Sequence, residues 1–70
     1  MALAGIIVMQ VAGMDEQSEM KIERAVASVP GVEAVTADAM KGTVEVVAGE
    51  IDDAEVREEI EKLGFEVLTI

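Results

Sequence analysis

The sequence predicts an α+β sandwich of order β-α-β-β-α-β: a four-stranded antiparallel sheet with two helices on one face. Three observations predict it. Short β-branched runs recur four times along the chain, two stretches with helical spacing of apolar residues lie between them, and Gly or Pro-Gly punctuates most of the boundaries. Two right-handed β-α-β crossovers, each leaving a gap for one strand, then interleave the four strands and send both helices to the same side.

The first run, Ile6-Ile7-Val8-Met9-Gln10-Val11, is apolar on both faces and is bounded by Gly5 and by Ala12-Gly13. Gly13 marks a sharp turn. Asp15 starts the first helix, where its side chain can accept from the free N–H groups of the first turn, with Ser18 at N3. Glu16 and Glu19 fall in that same turn, where the helix dipole favours negative charge. Ile22, Val26 and Val29, with Ala25 beside them, form the buried stripe, while Lys21, Glu23 and Arg24 are expected to point to water. Pro30-Gly31 stops the helix.

Val32 to Asp38 reads as the second strand, with Val32, Val35 and Ala37 as core candidates, and Thr43 to Val47 as the third. Ala39-Met40-Lys41-Gly42 joins them as a hairpin, and Gly49 ends the pair. Asp52 and Glu55 resemble a capping box at the start of the second helix, whose stripe is Val56, Ile60 and Leu63 before Gly64. Phe65 to Ile70 is the last strand. The whole pattern is that of a ferredoxin-like sandwich, and the 70 residues make one domain, 1–70.

Composition excludes several function classes. With 15 acidic and 5 basic residues the formal net charge is −10, which repels nucleic acid and anionic membrane surfaces. There is no cysteine or histidine, so disulfides, thiol catalysis and thiolate metal sites are absent. No apolar run approaches the ~20 residues of a membrane span, and no signal peptide is legible, so the chain reads as cytoplasmic. No catalytic constellation is visible, and the reading is not an enzyme and not a cofactor binder. The one Ser of the loop has only carboxylates near it, and paired carboxylates need a cleft that shifts one pKa.

In order along the chain stand Val11-Ala12-Gly13-Met14, Ile22-Glu23, Val26, Val29-Pro30-Gly31-Val32, Val35, Gly42, Val44, Val46, Ile60-Glu61 and Gly64-Phe65-Glu66-Val67. This set resembles the heavy-metal-associated domain of soluble copper chaperones and of the N-terminal domains of metal-transporting ATPases, over essentially the whole chain. The resemblance implies a Cys-x-x-Cys clamp just after the Gly-Met, because polarisable thiolates suit soft Cu(I) and oxygen does not. Counted forward from Gly13-Met14, the two cysteine positions fall on Glu16 and Glu19. Counted back from Pro30-Gly31, they fall on Asp15 and Ser18 with one loop residue deleted, which is favoured because loops slip more cheaply than helix stripes. Either count leaves oxygen ligands only, so the family's metal site is carried over to no residue here.

Asp15, Glu16 and Glu19 remain weak candidates for a hard cation such as Ca²⁺ or Mg²⁺, though three carboxylates in one helical turn diverge and already serve the helix dipole. Met14 reads as packing under the loop, with Phe65 as a cap over it. Met9, Met20 and Met40 are too scattered for a methionine-rich site. If Val11, Val44, Val46 and Val67 face the helices, alternation sends Ile6, Val8, Val47, Leu68 and Ile70 to the open face as interface candidates. The functional expectation is a metallochaperone-like protein-interaction or scaffold domain without thiolates, or a cysteine-free redesign of that fold. It has a protein partner, or a weak homodimer favoured by salt. The alternative is a weak hard-cation domain using the acidic loop.

Overall fold

Two helical stripes and one face of alternating strands supply nearly all the apolar surface that the chain can hide, and the architecture follows from closing one on the other. The computed structural model describes residues 5–49 and 53–69. Its elements are β1 (Gly5–Ala12), α1 (Glu16–Ala27), β2 (Val32–Asp38), β3 (Thr43–Ala48), α2 (Asp53–Lys62) and β4 (Glu66–Thr69). The strands lie in the order β2-β3-β1-β4, with every neighbouring pair antiparallel. β1 and β3 are interior and β2 and β4 are the edges, as two interleaved crossovers require.

On the covered face Met9, Val44 and Val46 are fully buried and Val11 is 3% exposed; Ile22, Val26, Val56 and Ile60 close over them from the helices. Burying each such side chain stabilises the fold by about 1.5–3 kcal/mol. Ile7, Met14, Val32, Val35 and Phe65 pack around this centre, partly buried. So Val32 and Val35 flank the core, and Ala37 is the member of β2 that lies within it. At the hairpin Gly42 takes a positive φ of 66°, and its carbonyl accepts from Val11 N at 2.8 Å, tying the β2–β3 turn to β1.

Three sequence expectations need correction. α1 ends at Ala27 with Ser28 as its C-cap, ahead of Pro30-Gly31. Proline disfavours the helical conformation in the residue before it, so the helix must release before Val29. Val29 is still buried, from the turn, while Ser28 Oγ donates to the Ala25 carbonyl at 2.7 Å. Leu63, placed in the second stripe by its spacing, is 41% exposed. α2 stops at Lys62, and Leu63 N donates to the Ile60 carbonyl in a tight turn that carries the side chain off the stripe. Glu23, expected to face water, is half-buried and accepts from Ala37 N at 2.9 Å. Two further expectations, the capping role of Asp52 and the open-face role of Ile70, lie outside the described residues.

Candidate functional site

The turn from β1 to α1 is built by Gly13, whose φ of 84° is a conformation that side chains disfavour. A Cβ there would sit 3.9 Å from Phe65 Cδ1, so the ring at the head of β4 lies beside the turn while Met14 packs on the core. Asp15 is the N-cap of α1, with extended backbone (φ −129°, ψ 178°). Its Oδ1 accepts from Ser18 N at 2.8 Å and from the Ser18 hydroxyl at 2.7 Å. One carboxylate oxygen therefore closes the first turn twice. The Ser18 hydroxyl, followed by the Ser18 N–H, holds the Asp15 carboxyl below the usual carboxylate range, because both donors favour the charged form.

The three acidic candidates of this turn go separate ways. Asp15 is engaged in the cap. Glu16 is exposed in the first turn of α1. Glu19 reaches away from the loop and accepts from Ala39 N at 2.7 Å, at the end of β2. Among the described residues, no group of three or more His, Cys, Asp or Glu side chains is arranged to hold a metal ion. Met20 and Met40 are exposed and Met9 is in the core, so among the described residues Met14 is the methionine at the loop.

The contacts of Glu19 and Glu23 with β2 are what sequence reasoning missed: the sequence alone makes Glu19 a cation candidate and turns Glu23 to water. Lying one helical turn apart on α1, the two side chains satisfy N–H groups of Ala39 and Ala37 along the free edge of β2. These contacts span 20 and 14 residues of sequence, so no local pattern announces them. At the other end of α1 an open depression of about 300 Å³ is lined by Ser28, Val29, Pro30, Glu55, Glu58 and Glu59. No described residue outside the surface carries a buried polar or charged side chain, and no described helix is long and apolar enough to cross a membrane.

The open face of the sheet carries the other candidates. Ile6 is 65% exposed and Val8 48%, and Val47 is half-buried opposite Ile6 on the neighbouring strand. Leu68, 55% exposed, is the extra residue of β4 at the register shift where Gln10 pairs with Thr69 and Val11 with Val67.

An antiparallel sheet of this order, two helices on one face and a strand-to-helix loop led by Gly-Met define a metallochaperone-like ferredoxin fold. The sequence profile of the heavy-metal-associated domain matches residues 8–66, and the chain belongs to that family, although it contains no cysteine. Its fold is similar to that of a CopZ metallochaperone (TM-score 0.88, 21% identity, covering 91% of this chain and 100% of that one). It is similar to the water-soluble region of the P-type ATPase CopA from Bacillus subtilis (TM-score 0.87, 33% identity, 96% of this chain), of which it spans 46%. It is also similar to a copper binding domain from a P-type ATPase (TM-score 0.83, 25% identity, 93% of this chain and 92% of that one). No match was found among curated protein sequences.

Family membership gives the Asp15–Ser18 contact its meaning. The α1 stripe is fixed by Ile22 and Val26, both with no exposed surface. Counted back from that stripe, Asp15 and Ser18 are the positions on which the expected Cys-x-x-Cys would fall; counted forward from Gly13-Met14, Glu16 and Glu19 are. The Asp15 and Ser18 side chains are joined to each other by a 2.7 Å hydrogen bond.

Proposed function

We propose that this chain is a non-catalytic protein-interaction domain: a metallochaperone-like scaffold in which a helix cap replaces the metal clamp. The observation that carries the reading is the bond from Ser18 Oγ to Asp15 Oδ1, formed inside an otherwise complete fold. A carboxylate and a hydroxyl are hard donors and poor ligands for soft Cu(I), and the carboxylate is already occupied by two donors. What the family's scaffold offers without its metal is surface. The net charge of −10 directs that surface toward proteins and away from nucleic acid and anionic membranes.

The test is competition of the purified chain against a Cu(I) chelator at sub-micromolar free metal. The expected result is that the chelator keeps all the copper. Stoichiometric retention by the chain would overturn the proposal.

A further inference from the structure

We infer that the open face of the sheet is a docking surface for a protein partner that presents an aliphatic ridge flanked by lysine or arginine. The inference rests on the reading of the chain as an interaction domain, and adds the surface and the chemistry of the partner. Two independent features carry it. The first is a concentration of exposed aliphatics: Ile6 and Val8 on β1 and Leu68 on the adjacent β4 are each about half exposed or more, and Val47 on β3 stands opposite Ile6. Water-facing strand positions ordinarily carry polar side chains, and aliphatics grouped on neighbouring strands mark contact surfaces.

The second feature is the distribution of charge. All five bases lie off the strands: Lys21 and Arg24 on α1, Lys41 in the β2–β3 turn, Arg57 and Lys62 on α2. The strands carry acids only. Two of them, Glu45 opposite Val8 and Glu66 opposite Ala12, are exposed on the open face and make no ion pair among the described residues. The aliphatic patch is thus flanked by negative charge unpaired among the described residues, and the strands that form it carry no base.

This pattern selects the occupant. A second copy in a two-fold contact would bring the same patch against itself, and with no base on the face the carboxylates would meet only carboxylates or aliphatics. A basic rim on the partner pairs with Glu45 and Glu66, and an aliphatic centre covers Ile6, Val8 and Leu68. The sheet edge beside β2 is a poorer route of entry, because Glu23 and Glu19 already hold the N–H groups of Ala37 and Ala39 there.

An amide NMR titration of the full chain tests this with two probes. One is a synthetic amphipathic helical peptide with a leucine stripe flanked by lysines; the other has glutamates in place of those lysines. The lysine peptide is expected to shift the amides of Ile6, Val8, Glu45, Val47 and Leu68, and the glutamate peptide to shift none of them. The Glu45→Lys, Glu66→Lys double variant, both changes at exposed positions, is expected to weaken the lysine peptide roughly tenfold and to gain binding of the glutamate peptide. Equal response to both peptides would overturn the inference. So would shifts centred on residues 13–18 or on α2, silence toward both peptides, or self-association through this face in sedimentation. Copper retention by the chain is a separate readout: it removes the proposed function and leaves the peptide result to be judged by itself.

Discussion

The two faces of this sheet are made from the same few aliphatic residue types, yet one is dry and the other is wet. Val46 and Val44 have no exposed surface, while Val8, on the strand next to them, is 48% exposed. Strand period alone separates the faces but does not say which one is the core. The helices decide it, because the Ile22, Val26, Val56 and Ile60 side chains of α1 and α2 close over one face and bury it. Aliphatic character on the open face is therefore surplus to folding, and substitutions can measure the difference.

The largest expected effect is on the covered side. Ile60→Ala removes a fully buried side chain from α2 and should cost about 2–5 kcal/mol in denaturant melts, enough to leave much of so small a domain unfolded. Unchanged melting would contradict the assignment of the covered face. A matched pair sharpens the comparison. Val46→Thr buries a hydroxyl without a ready partner and should cost about 1–3 kcal/mol, whereas Val8→Thr keeps the β-branched shape in water and should stay within about 0.5 kcal/mol. Equal losses would mean that the open face is covered in solution.

A smaller effect is expected at the β2 edge. Glu23→Ala leaves the N–H of Ala37 without its 2.9 Å acceptor and should cost about 1 kcal/mol, while Glu23→Gln retains a carbonyl acceptor and should recover much of it. If both variants melt alike, the bond contributes nothing to stability.

The smallest effect is electrostatic. Asp15 has its folded-state pKa depressed, chiefly by the Ser18 hydroxyl and then by the Ser18 N–H. A depressed carboxyl contributes stability above its unfolded pKa of about 3.9 and loses that contribution as pH falls through the folded value. The cap is thus expected to be intact at neutral pH and to weaken only below about pH 4. In Ser18→Ala the hydroxyl is gone and the backbone donor remains, so the Asp15 carboxyl should titrate nearer its ordinary value. NMR titration of the side-chain carbon reads this directly, and an unmoved midpoint would show that the hydroxyl is not the main cause.

The order of elements, the interior and edge strands and the Asp15 cap were legible in the sequence because each rests on local spacing or on chain-crossing rules. Ile22, Val26 and Ile60 proclaim their stripe by period, and Asp15 proclaims its cap by type and position. Leu63 misleads because its spacing is right but the helix has already ended. Glu23 misleads because its period puts it on the polar side of α1, while the edge of β2, distant in sequence, supplies an unpaired N–H within reach. The candidate site was half legible. Absence of cysteine excluded the thiolate clamp, but the local pattern left two pairs, Asp15 with Ser18 and Glu16 with Glu19, as its possible replacements, and only Asp15 and Ser18 bond to each other.

The central claim is that Asp15 and Ser18 occupy the two positions of the lost metal clamp. The most direct measurement is a Cu(I) competition titration of the Asp15→Cys, Ser18→Cys double variant beside the unmodified chain and beside Glu16→Cys, Glu19→Cys. The account predicts that the first variant retains one equivalent of copper against a chelator that strips the other two proteins. Copper retained by the Glu16→Cys, Glu19→Cys variant and not by the Asp15→Cys, Ser18→Cys variant would contradict it.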